Sequence, residues 1–324
     1  MRHLLGLPRV PLLAAPTPLH PAPRLSASIG AEVWFKRDDL TGLGLGGNKV
    51  RGLEYLLGDA LDQGCDCLVT GAGPQSNWAM LAALAARRCG LDPYLVFYGP
   101  PVRPAGNLLL DELTGADVRF TGELDRASVD AGIEKLRDEL RAAGRRPYPI
   151  PRGGATPRGA AGYVRASLEL ADQLMATGLA PSTLWLATGS CGTQAGLVAG
   201  ARWLRAPYEV VGVTVSRPVV ECLARVAALA GGAADLLELP HLDAPVATVL
   251  GGYLGSAYGE RSRASEDAAR LVAHTEGVFL DPVFAAKAMA ALVDAARAGG
   301  IGGPVVFLVT GGAPTLFTGP KGSM

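Results

Sequence analysis

The sequence has little of what usually marks a disulfide-rich, metal-binding or nucleic-acid-binding protein. Its five cysteines among 324 residues form no regular framework and favour a reducing compartment, and Cys65 and Cys67 are too close together for a zinc pair. The four histidines show no metal-binding or catalytic spacing. Thirty basic and thirty acidic residues cancel, so no basic field attracts nucleic acid. We therefore expect no metal and no nucleic acid, and a small molecule as the partner.

Long hydrophobic runs are also absent. Six prolines interrupt the first 23 residues, which excludes the continuous apolar region that a signal peptide requires. No apolar run approaches the roughly 20 residues of a membrane span. We expect a cytoplasmic protein without a membrane partner, and the 49% content of hydrophobic residues indicates a large buried core.

Short apolar runs alternate with helical patterns along most of the chain. The first predicted strand is residues 32–37 and the last is residues 304–309, with residues 1–32 expected to be an extended lead-in and residues 231–259 irregular. This alternation predicts an α/β fold, in which helices cover both faces of a mostly parallel sheet. Such sheets bind ligands beyond the carboxyl ends of their strands, so the loops after strands are where we look for chemistry.

The first of these loops is rich in glycine and ends in a lysine. Four glycines and an asparagine lie between Thr41 and Lys49, and a helical pattern then runs from Lys49 to about Gly64. A lysine at a helix N-terminus is disfavoured by the helix dipole, which lowers the cost of losing its charge, as a Schiff-base lysine requires. The alternative is a solvated lysine that merely follows a glycine loop.

Three further loops carry polar groups. Gln75, Ser76 and Asn77 begin a helix and are placed to bind a carboxylate, although Ser76 or Asn77 would equally serve as an ordinary N-cap. In residues 188–193, Thr-Gly-Ser-Cys-Gly-Thr, backbone amides and a helix dipole would face a phosphate, and a purely structural turn is the alternative. Thr310 ends the last predicted strand.

One lysine and one phosphate-binding turn on an α/β scaffold together indicate pyridoxal phosphate. Its aldehyde would condense with Lys49, and its phosphate would lie on residues 189–193. The pyridine nitrogen of the cofactor would need a further protein partner.

Six motifs follow one another along the chain, at residues 36–49, 75–77, 189–196, 258–259, 281–283 and 310–314. Together they resemble the D-cysteine desulfhydrase and 1-aminocyclopropane-1-carboxylate deaminase family. The resemblance covers nearly the whole chain and implies the tryptophan synthase β-like fold, with two open, mostly parallel twisted sheets flanked by helices. It implies a large cofactor-binding domain of residues 1–50 and 156–324, a small domain of residues 51–155 with the cofactor between them, and a homodimer.

The resemblance also implies roles for individual residues. Lys49 would hold the cofactor and move the Cα proton, Ser76 would lie near the reacting carbon, and Tyr258 would steer a proton or the leaving group. The implied cofactor-binding residues are Lys49, Asn77, Gly189, Ser190, Cys191, Gly192, Thr193 and Thr310. The implied substrate-binding residues are Gln75, Ser76, Asn77, Trp78, Tyr258 and Phe284.

Two positions distinguish the branches of this family. Thr310 matches the threonine that hydrogen-bonds the pyridine nitrogen in the desulfhydrase branch, and Ala285 stands where the deaminase branch has a glutamate. Four other positions depart from the family pattern: Phe284 replaces a tyrosine, Trp78 a histidine or glutamine, Cys191 a glycine, and Val309 a histidine. These changes make the surroundings of the substrate less polar and argue most strongly against the opening of a cyclopropane ring.

We therefore expect a pyridoxal-phosphate lyase that eliminates a Cβ substituent from a small amino acid and yields a 2-oxo acid and ammonia. D-Cysteine, or a sulfur- or sulfonate-bearing analogue, is the expected substrate. The alternatives are a β- or γ-replacement enzyme of a specialised biosynthetic pathway, a cyclopropane amino-acid deaminase, and a non-catalytic relative that binds the cofactor or an amino acid.

Overall fold

This computed structural model describes residues 2–242 and 246–318, which form eleven α-helices and ten β-strands. The helices are α1 Arg2–Gly6, α2 Pro23–Ile29, α3 Lys49–Asp62, α4 Asn77–Arg88, α5 Gly106–Leu113, α6 Ser128–Ala142, α7 Pro157–Thr177, α8 Gly192–Trp203, α9 Val219–Leu236, α10 Arg263–Glu276 and α11 Ala285–Arg297. The strands are β1 Leu19–Pro21, β2 Val33–Arg37, β3 Cys67–Ala72, β4 Asp92–Phe97, β5 Asp117–Phe120, β6 Pro147–Pro149, β7 Thr183–Thr188, β8 Glu209–Thr214, β9 Thr248–Leu250 and β10 Val305–Val309.

The strands form two separate sheets. Six lie in the order β1-β2-β10-β7-β8-β9 and four in the order β5-β4-β3-β6. Among the described strands only the β1–β2 pair is antiparallel, so the prediction of two open, mostly parallel sheets flanked by helices is confirmed. All four strands of the smaller sheet lie within residues 51–155, and the other six lie outside that range. The division into two domains stays a prediction.

Helices cover both faces of the six-stranded sheet. Helices α7, α8 and α9 pack on one face, and α2, α10 and α11 pack on the other. Strand β10 is buried along its whole length, with Val306 and Leu308 facing the first group of helices and Val305 and Phe307 facing the second. Full burial of such a side chain contributes about 1.5–3 kcal/mol. A strand buried on both faces therefore has a continuous apolar sequence.

The prediction of an extended N-terminal segment is wrong. Residues 1–32 include two helices, α1 and α2, and the short strand β1. Helix α2 begins with Pro23, a residue that fits the first helical position, and ends at Gly30 with φ of 74°. The region expected to be irregular is also shorter than predicted, because α9 continues to Leu236 and β9 lies inside it. Residues 243–245 of that region lie outside the described residues.

A buried ionic cluster connects β2 to two helices. Arg51 of α3 pairs with Asp38 at 2.8 Å and with Glu169 of α7 at 2.9 Å, and Lys36 of β2 pairs with Glu169 as well. The hydroxyl of Tyr163 donates to Asp38. Loss of one partner would leave a charge buried without compensation, which is strongly unfavourable. The cluster therefore holds β2 and α3 in a defined relation and sets the position of the loop between them.

Candidate active site

The glycine-rich loop holds Lys49 at the carboxyl end of β10. The backbone amide of Gly47 donates to the hydroxyl of Thr41 at 2.8 Å, and this hydroxyl donates to the carbonyl of Gly47 at 3.1 Å. The amide of Asn48 donates to the carbonyl of Thr310 at 3.0 Å. Lys49 is then the first residue of α3, as predicted. These contacts attach the lysine to the end of the last strand in the chain.

Glycine is required within this loop. Gly46 has φ of 73°, in the left-handed region that side chains rarely adopt. A Cβ at this position would lie 1.8 Å from the carbonyl oxygen of Asp39, where no atom fits. The loop can therefore pass close to the chain that follows β2 only because position 46 has no side chain.

Lys49 lies in the wall of a cavity lined by loops from both sheets. Burial by the surrounding protein disfavours the charged ammonium and lowers the pKa of Lys49 to about 8. The sequence led us to expect a lowered pKa from the helix dipole, whereas burial is the main cause. Among the described residues no aspartate or glutamate lines this cavity, so no carboxylate restores the charge. At pH 7 about a tenth of Lys49 is therefore a neutral, nucleophilic amine, much more than for an unperturbed lysine.

Ser76 has the N-cap role that the sequence allowed, and its role in binding a carboxylate stays a prediction. Its Oγ accepts hydrogen bonds from the amides of Trp78 at 3.2 Å and Ala79 at 3.3 Å, so it is the N-cap of α4. Ser76 and Asn77 also line the cavity. The N-terminus of α4 therefore faces the same space as Lys49, where its dipole favours an anion.

Gln75 does not line the cavity. Its Nε2 donates to the carbonyl of Ala105 at 2.9 Å, and its Oε1 accepts from the amide of Asn107 at 3.0 Å. The side chain of Asn107 in turn donates to the Oδ1 of Asn77 at 2.7 Å. The Gln75 side chain therefore holds the start of α5, and its predicted contact with a substrate stays a prediction.

Trp78 forms part of the cavity wall and of the core beneath it. The indole Nε1 donates to the Oγ1 of Thr70 at 2.9 Å, and this hydroxyl donates to the carbonyl of Ile150 at 3.0 Å. The ring covers Gly154, where a Cβ would lie 2.2 Å from it. Only 4% of Trp78 is exposed. The indole therefore limits the volume of the cavity and offers it no free hydrogen-bond donor.

The turn predicted to bind phosphate is divided between the cavity and the core. Gly189 and Ser190 line the cavity. Cys191 has φ of 74°, a conformation that suits glycine, and its side chain is buried away from the cavity. Thr193 accepts from the Nδ2 of Asn48 at 2.9 Å and so braces the lysine loop. Any anion in the cavity would meet the residue 189–190 turn and the N-terminus of α8, not the side chains of residues 191–193.

Three other predicted residues line the cavity: Tyr258, Phe284 and Thr310. The ring of Tyr258 meets that of Phe284 edge-on with 6.3 Å between centroids, and burial raises the pKa of the Tyr258 phenol. The Oγ1 of Thr310 has no hydrogen-bond partner within the described residues, so it is free to bond a ligand. The functional roles of the predicted site residues stay predictions.

Three arginines of the cavity were not identified from the sequence. Arg126 follows β5, Arg152 follows β6 and Arg217 follows β8, and all three line the cavity. The guanidinium carbon of Arg126 lies 4.0 Å from the centroid of the Tyr258 ring. The rule that ligands bind beyond strand ends applied to these loops as well. Glycine does not distinguish these loops from the others, because Gly122 precedes Arg126 and Gly153 and Gly154 follow Arg152.

Two other kinds of site are not found in the part of the chain that the structure describes. No group of three histidine, cysteine or acidic side chains is arranged to hold a metal ion across residues 2–242 and 246–318. Over the same ranges no helix has the length and apolar character needed to cross a bilayer.

The cavity residues fit pyridoxal phosphate chemically. Lys49 offers an amine of lowered pKa to an aldehyde, and the turn at Gly189 and Ser190 offers backbone amides to a phosphate. The unpartnered hydroxyl of Thr310 offers a hydrogen bond to a ring nitrogen. These three groups follow β2, β7 and β10, which are neighbours in one sheet.

Comparison with known proteins leads to the same cofactor. The family model described as "Pyridoxal-phosphate dependent enzyme" matches residues 10–311. The chain is 40% identical to a D-cysteine desulfhydrase of Salmonella choleraesuis over 330 aligned residues, which cover 98% of each chain. The crystal structure of an ACC deaminase homologue superimposes with a TM-score of 0.92 and 40% identity, over 97% of this chain and 95% of that one. A threonine deaminase from Solanum lycopersicum, 18% identical with a TM-score of 0.69 over 96% of this chain and 82% of its own, shares the fold. The family resemblance and the cofactor predicted from the sequence are thus confirmed, and the chain belongs to the pyridoxal-phosphate dependent enzymes.

Proposed function

We propose that the protein is a lyase that eliminates a Cβ substituent from a small amino acid, giving a 2-oxo acid and ammonia. The observation that carries this proposal is the position of Lys49, whose amine of lowered pKa shares one cavity with the N-terminus of α4 and the hydroxyl of Thr310. An aldehyde-binding amine, an anion-binding helix end and a neutral ring partner are the groups such a reaction needs. One of the similar proteins is named a D-cysteine desulfhydrase, an activity of this kind.

The amine of Lys49 is proposed to carry the proton of the substrate Cα. When bound, pyridoxal phosphate supplies an electron-withdrawing ring that weakens the bonds to Cα. A base for this proton has to be neutral at the working pH, and a pKa of about 8 leaves a useful fraction of Lys49 neutral. Because no carboxylate of residues 2–242 or 246–318 lies in the cavity wall, none of these side chains competes for the role.

The N-terminus of α4 is proposed to hold the carboxylate of the substrate. Ser76 and Asn77 begin this twelve-residue helix and face the cavity. The hydrogen bond from Asn107 fixes the orientation of the Asn77 amide. A carboxylate at a helix N-terminus is favoured by free backbone amides and by the dipole. Substrate held there would have its Cα near Lys49, because both groups line the same cavity.

Elimination is favoured over other reactions by the groups at positions 310 and 285. The hydroxyl of Thr310 is neutral, so it supports less build-up of charge on the ring than a carboxylate would. Ala285, where the deaminase branch has a glutamate, is buried and contributes no polar group. These two positions are the reason for proposing elimination of a Cβ substituent, and not ring opening.

The proposal is tested with protein purified in the presence of pyridoxal phosphate. A panel of D- and L-amino acids with Cβ leaving groups, including both enantiomers of cysteine, is incubated with the protein, and 2-oxo acid is measured. We expect product from at least one β-substituted amino acid and none from alanine, which has no leaving group. The yellow cofactor adduct is expected to be lost in Lys49→Ala.

An exposed lysine provides the matched control. Lys135 of α6 has a side chain that is 81% exposed, and Lys135→Ala is expected to keep both the adduct and the activity. Protein that binds the cofactor through Lys49 but yields no 2-oxo acid from any member of the panel would contradict the proposed reaction.

A homodimer in the cytoplasm is proposed as well, from the family resemblance, and light scattering would show a monomer if the dimer is wrong.

A further inference from the structure

The positive charge of the cavity exceeds what the cofactor and a simple amino acid need. Three arginines and Lys49 line it, and no aspartate or glutamate of the described residues does. Two anionic groups are already provided for under the proposed function: the phosphate by the turn at Gly189, and the substrate carboxylate by the N-terminus of α4. Both of those sites consist largely of backbone amides. The arginines therefore remain to be explained.

Among the three arginines of the cavity, Arg126 has the fewest partners for its charge within the described residues. Its side chain has no hydrogen bond or ion pair with any described residue, and its guanidinium is stacked on the ring of Tyr258 at 4.0 Å. Stacking leaves the N–H groups at the edge of the guanidinium free to bind an anion. Arg152 donates to the backbone carbonyl of Arg126 and pairs with Asp130 at 3.2 Å, which holds the two arginines together.

Arg217 belongs to the cofactor end of the cavity. It follows Ser216, whose hydroxyl donates to the carbonyl of Gly189 in the phosphate turn at 3.0 Å. It also pairs with Glu221 at 2.5 Å, outside the cavity. Arg126 instead lies on Tyr258, which meets Phe284, so it is at the aromatic side of the cavity. The charges of all three arginines act on the Tyr258 phenol, so Arg126 differs from Arg217 in having no acidic partner among the described residues, not in lying in a separate region.

We propose that Arg126, assisted by Arg152, binds a second acidic group on the substrate, so that the substrate is an amino acid whose Cβ substituent is itself an anion such as a sulfonate or a phosphate ester. This inference rests on the proposed function and names its substrate class. A planar guanidinium with free N–H groups matches the oxygen atoms of sulfonate, phosphate and carboxylate.

The chemistry of the leaving group agrees with this assignment. Lys49 takes the Cα proton, the electron pair of that C–H bond forms the Cα–Cβ double bond, and the Cβ–S or Cβ–O bond breaks with its electron pair leaving on the substituent. Sulfite or phosphate leaves as an anion and needs no proton at that moment. Phe284 offers no proton, the Tyr258 phenol is a weak acid because burial raises its pKa, and Arg126 can stabilise the departing charge. The site is therefore suited to an anionic leaving group.

The first experiment compares matched substrates on the holoenzyme. Cysteate is compared with cysteine, and O-phosphoserine with O-acetylserine, each in both configurations. We expect kcat/KM to be at least tenfold higher for the anionic member of a pair. The pair with the larger ratio shows whether the site prefers a sulfonate or a phosphate. In Arg126→Gln this ratio is expected to fall at least tenfold, and Arg126→Lys should retain part of it. Arg263→Gln is the control, because Arg263 is exposed on α10, with 94% of its side chain accessible.

A second experiment measures binding without turnover. α-Methylaspartate carries a second carboxylate but no Cα proton to lose, and α-aminoisobutyrate is its neutral counterpart. Calorimetry of the holoenzyme should show at least tenfold tighter binding of the dicarboxylate, and Arg126→Gln should remove that preference. The cofactor content of the variant is measured in parallel.

Each result decides for or against the arginine site. If neutral substrates are turned over as efficiently as anionic ones, the proposed role of Arg126 is wrong, whereas the proposed elimination still stands. An Arg126→Gln protein that loses cofactor, with an unchanged substrate ratio, would overturn it too, because the arginine would then serve the cofactor phosphate. Failure of the proposed function looks different, since no β-substituted amino acid in either charge class would then yield a 2-oxo acid.

Discussion

Replacement of Lys49 by methionine is expected to stabilise the cofactor-free protein at neutral pH. The side chain makes no hydrogen bond or ion pair with the described residues, and burial lowers its pKa from 10.5 to about 8. The folded protein therefore holds an ammonium in a place that disfavours charge. Methionine has a similar length and no charge, so it removes the penalty while filling the space.

The size and the sign of the effect follow from the two pKa values. Between about pH 8 and pH 10.5 the unfolded chain binds a proton at Lys49 that the folded chain does not, so the stability of the wild type rises with pH in this window. Below pH 8 the full penalty is present, roughly 3 kcal/mol from the pKa difference. Because Lys49 is open to the water of the cavity, we expect about 1–3 kcal/mol at pH 7 and less than about 1 kcal/mol at pH 10.

The assay is urea unfolding of the cofactor-free wild type and variant at pH 7 and pH 10. All other titrating groups are common to both proteins, so the difference between the two curves isolates Lys49. Lys135→Met is the control and should change stability by less than about 0.5 kcal/mol, as is usual at exposed positions. A Lys49→Met protein no more stable than the wild type at pH 7, or a difference that is the same at both pH values, would refute the reasoning.

Three further predictions concern buried positions. Gly46→Ala would drive a Cβ into the carbonyl of Asp39, so we expect a loss of more than about 2 kcal/mol and weaker cofactor binding, measured by unfolding and by absorbance. Trp78→Phe removes the hydrogen bond to Thr70, whose hydroxyl keeps its bond to Ile150, and leaves a gap beside Gly154, at a cost of about 1–3 kcal/mol in urea unfolding. Asp111→Leu should stabilise the protein: both carboxyl oxygens are buried without a partner, and burial raises the pKa to about 8. Since this carboxyl ionises near pH 4 when unfolded, wild-type stability falls as pH rises from about 4 to 8, and thermal unfolding should show a gain of roughly 1–3 kcal/mol for the variant at pH 8.

Elements that are buried in one uniform environment were the most predictable from the sequence. The first and last predicted strands, residues 32–37 and 304–309, match β2 and β10 to within one residue at each end. A parallel strand covered on both faces is a short apolar run, and it ends where glycine and polar residues begin. The prediction for the N-terminal segment was wrong for a local reason. Proline interrupts an apolar run, but it is compatible with the first position of a helix, as at the start of α2.

The site was predictable only in part, because the sequence does not give the direction of each side chain. The loops of Lys49, Ser76 and Thr310 were recognised, and all three line the cavity. Gln75 belongs to the same motif as Ser76 but points to the start of α5, where the chain beyond β4 supplies its partners. Arg126 has no distinctive neighbours in sequence. Its importance depends on the approach of Tyr258, more than 130 residues away along the chain, which no local pattern indicates.

The two sheets contribute different chemistry to the cavity. The loops after β2, β10 and β7 provide Lys49, Thr310 and Gly189, the groups that suit the cofactor, and their closeness depends on β10 lying between β2 and β7. Adjacent strands are about 4.8 Å apart, so three neighbouring strand ends cover the dimensions of one small molecule. The smaller sheet provides the end of α4 after β3 and the two arginines after β5 and β6. Substitutions in the loops of the smaller sheet should therefore change which amino acid is accepted, whereas substitutions at the ends of β2, β7 and β10 should change whether the cofactor is held at all.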